Sequence, residues 1–507
     1  MRRALLFIAA LLLAGHADAA TFSVTNTRDA GAGSLRQAML DAQAATGTLQ
    51  VINFSASFPQ NGVIALASPL PVWANGMLSI QGSGRDPVID AGGNHGILIV
   101  ASGATGLWLR DLSLVNGRNA TAGGCVHLVF GTPANLVVNN ARFQGCISED
   151  APANVVSARG GAISWLAASA GSNLSVFIEN SLFIGNRVRV THQQSGFGGA
   201  LSTSVTTRIT SSRFIDNAVH LTQGSSLQLL EGGAIHWRSV ASDGQTFELI
   251  QSHLENNRID IDATPTAAAG HGGAVYITCS KRCTANVARS TLLDNAVNGD
   301  PGNNHMSGGL MFTSSVASSE LNLQNSAFIG NTSPRVAGAL RMQGGVLDVR
   351  HSAFFDNLAP QAPQVLLHSN TLARWAYSAM GSGVFAAAGT LQPYCQLVGV
   401  NLTATAFTGN VFDAACASLS SSGALVGALG DYTLDESALP AMPVPAPDAL
   451  AVDVIPSDLN HSLPTDARGM PRPQDGNGST GFLLPDAGPI EIRRLDLFSD
   501  GFEGAAP

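Results

Sequence analysis

Seven positions stand at one offset behind a Gly-Gly pair, or an Ala-Gly pair in the last case, and carry side chains able to meet a ligand: His127, Ser164, Ser202, His236, Tyr276, Phe312 and Arg341. Each follows an apolar residue: Val126, Ile163, Leu201, Ile235, Val275, Met311 and Leu340 in turn. Successive strand side chains alternate faces, so an inward apolar residue sends its successor outward. The preceding outward position is mostly alanine, which predicts a shallow lane of small residues beside a ridge of His, Tyr, Phe and Arg. Aromatic faces stack on pyranose rings, and His or Arg bonds hydroxyls and carboxylates, so the lane suits a sugar chain. The plainer reading stays open beside it: exposed strand residues partly covered by long loops.

Catalytic groups are harder to assemble. A glycosidase needs two carboxyl groups roughly 5–9.5 Å apart. Glu231 lies beside the lane at His236, and Asp260 and Asp262 fall in the following loop, but no paired acids sit on the lane itself. A uronic-acid lyase needs a base near a cation, and Lys281, Arg282, His236, His271 and Arg341 form no set that the spacing selects. No nucleophile elbow, phosphate-binding loop or dinucleotide fingerprint occurs in a convincing context, so no cofactor is expected. Asp475-Gly476-Asn477-Gly478 lacks the bidentate acid of a calcium loop and reads as a turn.

The elements that must position these residues are repeats. The glycine element appears from Gly123, Gly160, Gly198, Gly232, Gly272 and Gly308, with a degraded copy at Ala337-Gly338. A second element reads apolar-x-x-Ser-x-Phe/Leu-x-x-Asn. Its copies end at Asn186, Asn217, Asn257, Asn295, Asn331 and Asn357, and an earlier one ends at Cys146. Irregular spacing between copies is what corner insertions in a solenoid produce. The fold class expected is all-β: a right-handed parallel β-helix. Stacked every ~4.8 Å, the asparagines form a ladder whose amides pair along the axis, and αL geometry at the strand end favours them. Short strands upstream, at Val51–Phe54, Val63–Leu66, Met77–Ile80, Gly96–Val100 and Leu107–Leu114, extend the helix towards the N-terminus. Ser34-Leu35-Arg36-Gln37 reads as a capping box opening a short helix, with Leu35, Ala38, Met39 and Ala42 on one face, able to cover the open end.

The bulk properties agree. Charged residues are 12%, against about 25% in typical domains. A net charge of −9 and one lysine argue against nucleic acid as a partner. Arg2 and Arg3, an apolar run and Ala17-Asp18-Ala19 read as an export signal, giving a mature chain from Ala20. No later run is long enough for a transmembrane helix. Cys125, Cys146, Cys279, Cys283, Cys395 and Cys416 then suggest three disulfides, paired in sequence order, with other connectivities open.

Thr21–Thr27 followed by Gly33-Ser34-Leu35-Arg36-Gln37-Ala38 resembles the N-terminal cap of exported β-helix proteins with a Ser-Leu-Arg-Glu-Ala motif. Gln37 stands where glutamate is usual, which preserves the capping role. The strand repeats resemble those of the same proteins and of polymorphic outer-membrane proteins. Residues 449–491 resemble a choice-of-anchor segment through Ala451-Val452-Asp453, Thr465 to Pro473 and Asp486 to Glu491, without the cysteine usual before the last motif. The closing Phe498-Ser499-Asp500-Gly501-Phe502-Glu503 resembles a tail on exported proteins of some Gram-negative bacteria. The resemblance implies fold and export; for activity it is weak, since one solenoid hosts lyases, hydrolases and adhesins.

The resulting expectation is a signal at 1–19, a cap at 20–50, a β-helix over 51–439, a Pro-rich closing segment at 440–495 and a tail at 496–507. The expected function is an extracellular or surface-associated monomer of Gram-negative type that binds a polysaccharide or cell-surface partner without catalysis. A polysaccharide lyase or glycoside hydrolase on the same scaffold is the alternative, and a purely structural passenger the next.

Overall fold

A computed structural model describes residues 19–45, 47–151, 156–167, 174–192, 194–222, 228–240, 242–262, 268–376 and 378–380. Beyond these it describes short stretches at 395–397, 407–408, 411–412, 425–426, 432–435, 440, 442–445, 463–472 and 489–490. The export signal up to residue 18, Cys416 and the C-terminal tail lie outside the described residues.

The chain is a right-handed parallel β-helix. Ala19–Val24 pairs in parallel with Leu49–Phe54, which pairs with Gly76–Gln81, and stacking continues through Val365–Ala376. The coils between Gly123 and Asn357 repeat the two elements read from the sequence. Phe143, Phe183 and Phe214 form one inward column, with ring centroids 4.8 and 4.5 Å apart. Leu254, Leu292, Phe328 and Phe354 continue it.

Serine and asparagine columns close the coils. Ser212 Oγ accepts from the Ser181 amide, and Ser252, Ser290, Ser326 and Ser352 repeat the bond. The asparagine ladder forms: Asn217 Nδ2 donates to Asn257 Oδ1 at 2.9 Å, and Asn257 Nδ2 to Asn295 Oδ1 at 2.9 Å. The left-handed backbone, however, belongs to the residue before each ladder asparagine: Asp216, Asn256, Asp294 and Asp356, with φ near 50°, and Gly185 and Gly330, with φ of 65° and 63°. The ladder position demands an amide that both donates and accepts, not an αL residue.

The glycine pair has two distinct jobs. Gly232 holds a φ of 70°, which L side chains rarely adopt. A Cβ on Gly199 would collide with the Gly233 carbonyl oxygen and the Ala218 backbone. That close approach seals the core triangle and throws the intervening chain outward as an arm. The arm has two layers: a six-stranded sheet including Arg187–Val190, Ala218–Leu221 and Arg258–Ile261, and a four-stranded sheet of Ala158–Arg159, Gly196–Phe197, Leu229–Glu231 and Ala269–His271. Val188, Val219, Leu221, Leu230 and Ile259 fill the space between them as a second core.

A helix, Leu35–Ala44, packs on the first two strands with Leu35, Ala38, Met39 and Ala42 buried. Ser34 Oγ caps it by accepting from the Gln37 amide at 3.2 Å. The reciprocal half of a capping box is absent, because the Gln37 side chain donates instead to Asp41. Arg36 ties the helix to the solenoid, donating to Asp29 and to the Ser68 and Pro69 carbonyls. Among the described residues no helix is long and apolar enough to cross a membrane.

Two disulfides form, Cys125–Cys146 and Cys279–Cys283. Cys146 occupies the first ladder position, its amide donating to Asn186 Oδ1, so a covalent link stands where the amide ladder begins. The Cys395–Cys416 pairing lies outside the described residues.

Candidate functional site

Strand register places the outward column residue by residue: His127, Ser164, Ser202, His236, Tyr276, Met311, Arg341 and Leu366 are consecutive neighbours. Phe312 is not among them. It pairs with Ile277 and Met342 in the inward column and is fully buried. The corner in that coil is made by Ser307, with a φ of 60°, and Gly308, so the visible Gly308-Gly309 pair reads one residue late.

The second correction concerns exposure. The column is a floor, not an open lane: Ser202 is fully buried, His236 is 2% exposed and Arg341 7%. The inner sheet of the arm covers it. Ala122, Arg159, Phe197, Glu231, His271, Met306 and Val336 stack as a wall column facing that floor. These wall residues each directly precede the residue pair that makes a corner, which was the sequence signal for them. Apart from His127 at the column's start, which is half-buried, what remains accessible is a rim formed by Arg238, Thr278, Thr313 and Gln343, two residues along each strand from the floor.

Floor and wall interlock through rings. The Arg159 guanidinium lies 4.0 Å from the Phe197 ring centroid. Phe197 meets His236 at 4.9 Å, His236 stacks on Tyr276 at 5.8 Å, and His271 stacks on Tyr276 at 6.0 Å. Glu231 is the one carboxylate of these columns. Its Oε2 is 3.2 Å from His236 Nε2, and its Oε1 is 3.8 Å from His271 Nδ1, beyond hydrogen-bond length but within electrostatic reach. Burial pushes the Glu231 carboxyl up, but the two histidines outweigh it and hold the group at about 2. Burial also dominates at His236, lowering its pKa despite Glu231, so the ring is neutral at pH 7. A carboxylate only accepts, so His236 Nε2 carries the proton and Nδ1 accepts from the Ser202 hydroxyl at 3.3 Å. Burial, then Arg238, lowers Arg159 to about 10 against the pull of Glu231. Tyr276 is raised by burial and by Glu231, and its hydroxyl meets Thr313 Oγ1 at 3.3 Å.

Ser202, His236 and Glu231 thus form a hydrogen-bond relay of the type that activates a serine nucleophile. The relay is sealed: Ser202 has no exposed surface. Other sequence candidates lie elsewhere. Asp260 pairs with Arg258 at 2.8 Å and Asp262 with His220 at 2.6 Å, on the outer sheet of the arm. Lys281 and Arg282 are exposed in the turn closed by the Cys279–Cys283 disulfide. Among the described residues no group of three His, Cys, Asp or Glu side chains is placed to hold a metal ion. A hollow beside Asp111, Asn140, Arg142 and Asn180 lies on another face, and its Asn140 is already bonded to Asp111.

Searches against protein-family models and curated proteins find no match for this chain.

Proposed function

We propose that this chain is an exported, surface-associated β-helix that binds an extended ligand, a glycan or a cell-surface partner, along the corner between solenoid and arm, without catalysis. The observation that carries the reading is the continuous rim of Arg238, Thr278, Thr313 and Gln343, rigidly backed by buried rings. Donors and hydroxyls repeat there at the coil spacing of ~4.8 Å, which suits a polymer lying along the axis. Rigid strands present such groups with little ordering cost on binding. The disulfides fit an oxidising compartment, and the resemblance of the cap and closing segments supports export and surface attachment.

Depolymerisation by a lyase or glycoside hydrolase is the second reading, favoured only by the buried His236–Glu231 acid–base pair, since a serine relay by itself serves acyl transfer and not glycosidic cleavage. The corner columns offer one carboxylate where a glycosidase uses two, and the relay's serine is out of reach of a substrate. Binding and depolymerisation assays over acidic and neutral polysaccharides separate the readings. Retention on a glycan with no released product is expected. Product formation lost in His236→Ala or Glu231→Gln would replace binding with depolymerisation. No retention on any glycan or cell surface would leave a structural passenger.

A further inference from the structure

Among the described residues the corner holds more cationic donors than its acids satisfy. Arg159 Nη1, Arg238 Nε, Arg341 Nε and Nη1, and both ring nitrogens of His271 are buried without a hydrogen-bond partner. Arg341 is 7% exposed and His271 8%, so water does not readily substitute for the missing acceptors. Leaving a buried donor unpaired costs roughly 1–3 kcal/mol, and more for a charged group. Three guanidinium groups along one corner, each with an unpaired nitrogen, stand against the single carboxylate of Glu231 among the described residues, so the corner carries positive charge that an anionic ligand at the accessible Arg238 would offset. Glu231 is already engaged by His236 and His271.

The geometry points to a chain of acidic sugars as the ligand of this corner, an inference that rests on the binding reading above. Along the rim Arg238 is followed by Thr278, Thr313 and Gln343, and Arg341 lies on the buried floor two residues before Gln343. A polymer running along the axis meets the half-buried Arg238 guanidinium, then two hydroxyl-bearing coils, then the Gln343 amide, with the buried Arg341 guanidinium behind it. Guanidinium pairs with carboxylate in a fork that lysine cannot match. The threonines, and the Tyr276 hydroxyl beside Thr313, suit sugar hydroxyls. Neither a neutral glycan nor an apolar peptide would supply the missing acceptor charge.

The test uses the full exported chain, with polygalacturonate and alginate as acidic probes, dextran as the neutral one, and poly-glutamate and single-stranded DNA as non-sugar anions. Acidic glycans should bind, weakening steeply with salt. Arg238→Gln, at the accessible rim, should weaken that binding about tenfold, with Arg238→Lys recovering part, and Arg341→Gln, behind the rim, should weaken it less. Circular dichroism and Tm identify an Arg341 variant that fails to fold, in which case Arg238→Gln decides alone. Equal binding of dextran and polygalacturonate, unchanged in the variants, would overturn the acidic-sugar inference while leaving the binding reading intact. Poly-glutamate or DNA bound as tightly through the same arginines would overturn the assignment to sugars. No binding of any glycan would remove the binding reading itself.

Discussion

Glu231 holds two coils of the corner together, and its chemistry makes the fold sensitive to acid. The folded carboxyl titrates at about 2 rather than its ordinary 4.5. The unfolded chain therefore binds its proton first, and the stability Glu231 contributes is complete above 4.5 and lost as pH falls through about 2. His236, His127 and His253 are lowered from 6.5 chiefly by burial. They act with the same sign, since the unfolded rings take protons that the folded ones refuse as pH drops below 6.5. Tm should fall in two stages on acidification. Glu231→Gln should cost roughly 1–3 kcal/mol at neutral pH and flatten the lower stage, while the upper stage persists because burial still lowers the histidines. Parallel Tm-versus-pH curves for the two proteins would show that Glu231 is not the titrating group. At this scale the sequence was only partly legible. His236 and Tyr276 are placed on the outward face by alternation alone, and Glu231 is visible beside them. Phe312 misleads because a serine can take the αL corner that glycine marks elsewhere. The burial of the column was not legible, because the covering strands are as short as Ala158–Arg159 and carry no alternation to read.

Among the elements, the asparagine ladder is the most demanding. Asn257 accepts from the amide and side chain of Asn217 and donates to the Phe214 carbonyl and to Asn295. Asn257→Ala leaves several buried partners unmet at once, so a loss of about 3 kcal/mol or more is expected from chemical denaturation. Phe214→Leu, by contrast, should cost less than about 1.5 kcal/mol, because leucine already fills this column at Leu254 and Leu292. Equal losses in the two variants would mean that the ladder is replaceable turn chemistry. At the ladder's first position the Cys125–Cys146 link closes a separation of 21 residues. Chain entropy assigns it about 3 kcal/mol, against about 2 for the short Cys279–Cys283 loop. Replacing each pair by alanine and comparing Tm tests that order. The repeat elements were legible because each coil restates them: a position needing one side chain shows it repeatedly. The N-terminal helix was legible for a different reason, its cap and apolar face being local.

On the scale of the whole molecule, a solenoid coil feels only its neighbours, so contacts from distant sequence are the exception. The described part of the closing segment makes such a contact. Asp466 is fully buried in a tight turn, accepting from the Met470 amide at 2.8 Å and from Arg468 Nε at 3.0 Å, with Gly469 at a φ of 83°. This explains the spacing of the Thr465–Pro473 motif without any ligand. The turn docks on the side of the helix: Asn325 Nδ2 donates to the Thr465 carbonyl, and Arg472 donates to Asn325 Oδ1. Met442, Ile490 and Ala467 cover Leu293, Ala327 and Ile329. The expected consequence is local. Asp466→Ala should unlock the turn and raise amide exchange across Ala327–Ile329 about tenfold, equivalent to roughly 1.4 kcal/mol. Coils at Phe183 and Phe214 should exchange as before, because the described clasp residues pack on Leu293, Ala327, Ile329 and Asn325 instead. Exchange rising uniformly along the solenoid would contradict nearest-neighbour stability, and exchange unchanged at Ala327–Ile329 would mean that the clasp rests on the helix without supporting it.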